Sequence, residues 1–232
     1  MKGSGRNMKI SEVRLQTSLL EQQYQFYHLR LGMEVLDYTN KILRLRCGGS
    51  VLAFETHHED EAPYYHFAFN ISPGKLDSAI RSIKELGIAI NLVDGKEVVH
   101  SNSWNSDSVY FYDPAGNIVE YIARYDLSGR AGDEFDASDL LSISEIGLPV
   151  TNVADTAEAL TSLLREKVYL HADHLFAPIG NEEGLFILSS TERQWLGSNK
   201  PVKVFPLTVA VEGNIQDSFQ LNGLPYQIIV QQ

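Results

Sequence analysis

Two strands joined by a tight turn are predicted by the stretch VYFYDPAGNIVE, residues 109–120. In the turn, DPAG at 113–116, proline stands second and glycine fourth, an arrangement typical of a four-residue turn. The segments on either side, 108–112 and 117–124, are rich in β-branched and aromatic residues, which favour strands. Glu120 lies within the second segment. A carboxylate buried there is costly unless it is paired or binds a metal, so Glu120 is a candidate site residue.

These two strands end a unit that combines one helix with a small sheet. Residues 65–71 alternate between apolar and polar side chains, as a half-buried strand does. A helix is predicted over 75–86 and ends at Gly87. Short strands at 88–93 and 98–100 then lead towards the turn.

A unit of the same order precedes this one. It comprises a strand at 10–17, a helix at 20–31 closed by Gly32, and strands at 34–38, 42–46 and 50–56. Glu12, in the first strand, precedes its helix-closing glycine by 20 residues, and His66 precedes Gly87 by 21. The two units therefore match.

Two further units follow with less regular sequences. In the third, a helix at 156–166 comes before strands at 175–178 and 185–189. The fourth begins at 204–211 and has no clear helix, because 213–225 is rich in Gly, Asn and Pro. The pattern is strand–helix–strand–strand–strand, repeated four times with the last copy eroded.

The repeats predict an α+β fold of paired βαβββ modules in two domains, the second degenerate. Residues 1–8 are predicted to be a flexible leader, 9–125 the metal-binding domain of two modules, and 142–232 the degenerate second domain. Between them, 126–141 lacks periodicity and is predicted to be a linker. Helices packed on one face of the sheet leave a concave face inside.

The alternation identifies side chains that point into this concave groove. They are Glu12 and His66, each in the first strand of its unit, and Glu120 in a last strand. Carboxylates and an imidazole from adjacent strands could converge on one divalent cation, which suits zinc, nickel, manganese, cobalt or iron. Glu55 lies on the matching strand of the first unit and is a candidate fourth ligand.

Each of these residues also has a structural interpretation. Glu12 can pair with Arg14, two residues along on the same strand face. A single histidine such as His66 is more often a hydrogen-bonded core residue than a ligand. In the second half Glu145 corresponds to Glu12, but Pro206 stands where His66 would be. The second half is therefore predicted to bind no metal and to support the first.

The composition limits the function classes. The chain has 232 residues, of which 44% are hydrophobic, enough for a proper core. Its formal charge of −11 repels phosphate backbones and disfavours nucleic-acid binding. One cysteine, Cys47, cannot form an internal disulfide. No apolar run approaches the roughly 18 residues of a membrane span, and no signal-peptide core is found, so we expect a cytoplasmic protein without membrane partners.

Four stretches carry a resemblance to a known superfamily. They are EVRLQT at 12–17, FY at 26–27, LGM at 31–33 and VYFYDPAGNIVE at 109–120. The first three resemble the start of a glyoxalase-type module, and the last resembles the most specific motif of the vicinal oxygen chelate superfamily. That superfamily includes glyoxalase I, extradiol dioxygenases, fosfomycin-resistance thiol transferases and bleomycin-resistance proteins. The resemblance covers 8–125 well and 140–232 more faintly.

The resemblance implies paired βαβββ modules around a metal-holding groove. It implies ligands on the first strand of each module and the last strand of the second, which here are Glu12, His66 and Glu120. Glyoxalase I has a further glutamate from the first module, for which Glu55 is the candidate.

The resemblance also implies catalytic roles. Glu12 or Glu120 could leave the metal and act as a general base, as in a glyoxalase. Extradiol enzymes have catalytic histidines and a tyrosine in later strands of the metal domain, and His100 and Tyr110 are the counterparts here.

Two classes of function follow. The first is a metal-dependent enzyme whose small-molecule substrate chelates a divalent ion through adjacent oxygens. Three carboxylates and one imidazole favour lyase or isomerase chemistry over an extradiol ring-cleaving dioxygenase. The second is a metal-free protein that binds a cationic drug in an acidic groove, like bleomycin-resistance proteins. A homodimer is compatible with either class. Trp195 either caps a ligand or is an ordinary partly buried tryptophan, the commoner case.

Overall fold

The computed structural model describes residues 7–57, 61–130, 132–213, 215–221 and 223–232. Most of the predicted leader, residues 1–6, lies outside this part. Met8, at its end, is buried, and its carbonyl accepts a hydrogen bond from Nδ2 of Asn181 at 3.1 Å. The last leader residue is therefore packed against the third unit of the chain.

The first two units form the predicted sequence of elements. Module one comprises β1 (Lys9–Thr17), α1 (Leu20–Tyr24), a π-helical turn (Gln25–Arg30), β2 (Val35–Tyr38), β3 (Ile42–Cys47) and β4 (Ser50–Thr56). Module two comprises β5 (His66–Ile71), α2 (Leu76–Glu85), β6 (Ile90–Asn91), β7 (Val99–Ser101), β8 (Ser106–Tyr112) and β9 (Ile118–Arg124).

The last two units are shorter. Module three comprises β10 (Leu140–Val150), α3 (Val153–Leu164), β11 (Phe176–Asn181) and β12 (Gly184–Ser190). Module four comprises β13 (Leu207–Glu212), β14 (Asp217–Gln220) and β15 (Tyr226–Gln231). Within the described residues module four contains no helix. These elements confirm the predicted α+β fold of βαβββ modules with a degenerate second half.

The helices pack by the ordinary amphipathic rule. In α2, Leu76, Ala79, Ile80 and Ile83 are buried, a spacing that places one apolar stripe against the sheet. Gly87 follows at φ 68°, a left-handed conformation that glycine adopts without strain and that ends the helix. Of the described helices, none is long and apolar enough to cross a membrane.

Modules that are not consecutive pair through their first strands. β1 runs antiparallel to β13, with Ile10 opposite Val211. β5 runs antiparallel to β10, with Ala68 opposite Glu145. Module one therefore pairs with module four, and module two with module three. A single bridge between Ile10 and Ile143 joins β1 to β10.

This pairing does not follow the predicted domain division. The division at 126–141 would pair module one with module two. In the structure each strand-paired couple takes one module from either side of that segment. Part of the segment is ordered: Ala137–Asp139 forms a 3₁₀ turn, and Asp139 is buried with Lys75 at 2.9 Å. The segment leads directly into β10.

Candidate functional site

Three acid and base side chains meet on the concave face between modules two and three. They are His66 on β5, Glu120 on β9 and Glu145 on β10. Each offers a ligand atom within 4.8 Å of those of the other two, and all three residues are buried. Among the described residues this is the only group of three or more such side chains spaced for a metal ion.

Strand register explains why these side chains converge. Ala68 on β5 lies opposite Glu120 on one neighbouring strand and opposite Glu145 on the other. The small alanine leaves room between the two carboxylates. His66 is two residues before Ala68, and side chains two apart share a strand face. The imidazole therefore lies one pleat along from the carboxylate row.

The histidine is oriented by the backbone. Nδ1 of His66 lies 3.1 Å from the carbonyl oxygen of Ile118, so we assign the ring proton to Nδ1 as the donor. Nε2 then carries the lone pair, and it lies 3.6 Å from Oε2 of Glu120. Carbonyl anchoring of one ring nitrogen is the usual way in which a metal-binding histidine is held.

Arg124 neutralises part of this acidic cluster. Its Nη2 donates to Oε1 of Glu145 at 2.5 Å, and Nε and Nη2 both donate to Oγ of Ser144 at 3.2 Å. Its guanidinium lies over the ring of Trp104, 5.1 Å from the centroid. Nη1 has no partner among the described residues. One oxygen of Glu145 is thus held, and Oε2 is in no hydrogen bond within the described part.

Burial controls the protonation of the cluster. Desolvation, together with the charge of Glu120, raises the pKa of Glu145 to about 7 against the favourable effect of Arg124. Desolvation also raises the pKa of Glu120, while polar contacts with Ser108 and Tyr110 act to lower it. The pKa of His66 is lowered by desolvation, so the imidazole is neutral near neutral pH.

A cavity of about 340 Å³ opens beside the three residues. Two other predicted site residues, Tyr110 and His100, line it. Tyr110 lies opposite Glu120 in the β8–β9 pair, and burial raises its pKa well above the usual value, so its hydroxyl stays protonated. The exposed His100 has Nδ1 2.5 Å from Asp107 and Nε2 2.8 Å from Asn102. The hydrogen bond with Asp107 raises its pKa.

The structure does not bring Glu12 or Glu55 to this cluster. Glu12 accepts from Nε of Arg14 at 2.6 Å and from Nη2 of Arg44 at 2.8 Å. Its ion pair with Arg14 is the structural alternative raised by the sequence. Glu55 is about half exposed, 4.0 Å from Arg14. Both differ from the prediction because β1 pairs with β13, which places them in a second groove, between modules one and four.

Sequence reasoning gave Glu145 no role, yet it completes the cluster. A signal was present: Glu145 lies among Ile143, Ile146 and Leu148 without a basic residue two positions away. Gly147 occupies that position, whereas Glu12 has Arg14 there. The isolated carboxylate in an apolar strand resembles the situation of Glu120.

The donor set fits a divalent ion. One imidazole nitrogen and two carboxylates are ligands that zinc, nickel, manganese, cobalt and iron accept in proteins. Nε2 of His66 and Oε2 of Glu145 make no hydrogen bond among the described residues, which leaves both lone pairs available. The raised pKa of Glu145 is the cost of burying two carboxylates together, and a bound cation would relieve it.

Comparison with known proteins agrees with this fold. Residues 9–121 match the family model Glyoxalase, described as the Glyoxalase/Bleomycin resistance protein/Dioxygenase superfamily. The match covers the first two modules, just under half of the chain. Its structure resembles a putative dioxygenase from Bacillus subtilis subsp. subtilis str. 168, at a TM-score of 0.67 and 11% identity over 98% of this chain and 86% of that one. It also resembles glyoxalase I from Zea mays, at a TM-score of 0.58 and 14% identity, over 96% of this chain and 92% of that one. At these identities the likeness concerns the fold.

Proposed function

We propose that the protein is a metal-dependent enzyme whose active site is the cavity between modules two and three. His66, Glu120 and Glu145 would hold the divalent ion, which would bind a small substrate through adjacent oxygens. One observation carries the proposal: three buried ligand-type side chains lie within 4.8 Å of one another at the wall of a cavity. A bound divalent ion would polarise the substrate oxygens.

The chain's own residues supply proton transfer. Oε2 of Glu145 makes no hydrogen bond among the described residues and Glu145 lines the cavity, so this carboxylate can take up and return a substrate proton. Arg124 fixes the orientation of this carboxylate through Oε1. Tyr110 remains protonated and lines the cavity, so its hydroxyl can donate a hydrogen bond to a substrate oxygen. Glu120 would remain a ligand of the ion.

Lyase or isomerase chemistry fits this donor set best. Non-haem iron oxygenases are typified by two histidines and one carboxylate, whereas this cluster has one histidine and two carboxylates. The metal-free alternative, capture of a cationic drug, finds less support here. Arg193 places a guanidinium group at the wall of the cavity, and this charge disfavours a cationic ligand.

Metal analysis tests the ligand set. The protein is purified without a metal-affinity step, and bound metal is measured by elemental mass spectrometry. We expect close to one divalent ion per chain in the wild type and a large loss in His66→Ala. His171→Ala, an exposed histidine of module three, serves as the matched control and should retain the ion. Little metal in the wild type, unchanged in His66→Ala even after incubation with Zn²⁺, would sink the proposal.

A second measurement separates an enzyme from a binding protein. Hydroxyacetone carries adjacent oxygens and exchangeable carbon-bound protons. We expect the Zn²⁺-loaded wild type to speed deuterium exchange at that carbon, followed by NMR, and Glu145→Gln to remove the effect. Tight ligand binding without any such proton exchange would favour the binding class instead.

A further inference from the structure

A row of hydroxyl groups runs along one wall of the cavity. Ser106, Ser108 and Tyr110 alternate along β8, so their side chains share the face of that strand that lines the cavity. Ser101 on the neighbouring β7 lies opposite Ser106 and lines the cavity as well. Module two therefore presents a wall of hydroxyls to the cavity from two adjacent strands.

The hydroxyls of this row are only partly engaged. Ser108 and Tyr110 make polar contacts with Glu120 that act to lower its pKa. Oγ of Ser106 makes no hydrogen bond among the described residues, and it is not one of the unpartnered polar atoms that solvent cannot reach, so it is open to the cavity. A hydroxyl both donates and accepts. Ser106 can therefore do both for a ligand, and the other two hydroxyls can still accept.

The facing wall is apolar. In the sheet, β9, β5 and β10 separate β8 from β12, so these two strands border opposite sides of the groove. Phe176 on β11 and Ile187 on β12 line the cavity from module three, together with Trp195. Gly147, the partner of Ile187 on β10, adds no side chain there. A cavity of about 340 Å³ with one hydroxyl wall and one apolar wall suits a small ligand whose hydroxyls and C–H groups point to opposite sides.

The basic residues at the cavity already have acids beside them. Burial lowers the pKa of Arg193, and the charge of Asp173 acts against this effect. Nδ1 of His100 lies 2.5 Å from Oδ1 of Asp107. The two positive charges that line the cavity are therefore offset, and an anionic ligand gains little from them. The groups left to recognise a ligand at these walls are the neutral hydroxyls.

We propose that the cavity selects a neutral, polyhydroxylated aliphatic ligand, such as a small ketose, whose further hydroxyls pair with Ser106 and Ser108. The C–H side of this ligand packs against Ile187 and Trp195 on the facing wall. The inference rests on the proposed function only for the two adjacent oxygens that would reach the ion. Selection of the further hydroxyls depends on β8, and Ser106 is therefore a specificity-determining residue.

Two probes that differ only in hydroxyl groups test this selection. Erythrulose and 1-hydroxybutan-2-one share the same carbon chain and the same adjacent oxygens, and only erythrulose carries further hydroxyls. Their affinities are measured on the full chain, with and without Zn²⁺, by NMR titration of the indole signals of Trp104 and Trp195, which both line the cavity. We expect the wild type to bind erythrulose about tenfold more tightly or better in both conditions, as one or two net hydrogen bonds allow.

Matched variants make the result specific. Ser106→Ala should weaken erythrulose by about tenfold and leave 1-hydroxybutan-2-one within about twofold, since the second probe does not use the hydroxyl. Ser103→Ala removes a hydroxyl that is exposed and does not line the cavity, so it should preserve the preference. Ser106→Thr keeps a hydroxyl at the same position and should retain most of the preference. Circular dichroism confirms that each variant is folded.

The outcomes separate the two proposals. A preference for erythrulose that persists without Zn²⁺, in a protein that fails to bind the ion, supports this inference and overturns the proposed metal function. Similar affinities of the wild type for the two probes, or indole signals that respond to neither, overturn this inference whatever the metal result. A preference unchanged in Ser106→Ala, or lost equally in Ser103→Ala, also overturns it, because the hydroxyl row of β8 would then not be the cause.

Discussion

The two grooves of the molecule each receive a glutamate from an equivalent strand position, but different residues surround the two carboxylates. β1 and β10 are each the first strand of a module, and each presents a glutamate to its groove, Glu12 and Glu145 respectively. Two residues along the same face, β1 has Arg14 and β10 has Gly147. This difference gives the carboxylate of Glu12 one cationic neighbour that Glu145 lacks.

In the groove between modules one and four, the carboxylate is fully engaged. Arg14 and Arg44 bind one oxygen each of Glu12, whose side chain is 15% exposed. In the groove between modules two and three, the glycine leaves space that the ring of Trp195 fills, and only Arg124 reaches Glu145, which is 6% exposed. Glu145 remains available to a metal because the residue two positions along its strand is a glycine and not a second arginine.

The largest expected difference between the grooves is in metal affinity. Four-ligand zinc sites bind with about 10–16 kcal/mol, so one ligand contributes about 2.5–4 kcal/mol, or roughly 10²- to 10³-fold. We expect Glu145→Gln to weaken Zn²⁺ binding by that factor and Glu12→Gln to leave it unchanged, as measured by competition with a chromogenic chelator. Equal effects of the two substitutions would erase the proposed contrast.

A pH dependence follows from Glu145. Its pKa of about 7 in the fold exceeds the ordinary 4.5, so the folded state binds this proton more tightly than the unfolded state. Stability of the metal-free protein is then greatest below about pH 4.5 on this account and falls as pH rises through 7, by on the order of 3 kcal/mol. Urea unfolding between pH 5 and 8 measures this slope.

The matching variant removes the titrating group. Glu145→Gln should flatten the slope, because glutamine does not titrate. Zn²⁺ affinity of the wild type should instead rise with pH, by up to about tenfold per unit below 7, since the ion competes with the proton. A wild-type slope retained in Glu145→Gln would assign the effect to another group.

Filling the space at Gly147 should have a smaller effect than loss of the Glu145 carboxylate. A methyl group there would lie 2.5 Å from Cη2 of Trp195. Overpacking of this kind costs about 1–3 kcal/mol, so we expect Gly147→Ala to lower the free energy of unfolding by about 2 kcal/mol and to shift tryptophan fluorescence. Gly49→Ala is the control, because its added methyl group would meet nothing closer than 3.7 Å. Similar losses for both would show that the packing of Trp195 does not need the glycine.

The smallest effect belongs to the charged groove between modules one and four. Arg14 and Arg44 are 42% and 35% exposed, so solvent screens their pairs with Glu12. Glu12→Gln should change the free energy of unfolding by less than about 1 kcal/mol, detectable as a shift in the urea midpoint. A loss of several kcal/mol would show that this network supports the fold as strongly as the buried cluster does.

Local patterns predicted most of the fold because each element depends on nearby residues. The strand at 50–56 coincides with Ser50–Thr56, and α2 lies within the predicted 75–86. The start of α3 was predicted three residues late, since Asn152 accepts from the amide of Asp155 and caps an earlier turn. Of the predicted strand at 88–93, only Ile90–Asn91 pairs in a ladder, where it runs antiparallel to β8.

The site was predictable only where one module contains it. His66 and Glu120 come from β5 and β9 of the same unit, so the repeat predicted them as neighbours. The third residue depends on which modules pair, and four similar units carry no local signal for that choice. Glu12 and Glu145 occupy equivalent positions, and the partner of β5 is β10.

The nested pairing of modules has a consequence for the order of folding. Asn70 meets Ser142 across a loop of about 70 residues, whereas Ile10 meets Val211 across about 200. The longer closure costs about 1 kcal/mol more in chain entropy, and during synthesis β13 leaves the ribosome long after β5 and β10. The two modules that enclose the cavity can therefore dock first, and the flanking pair closes around a nucleus that already contains the carboxylate row.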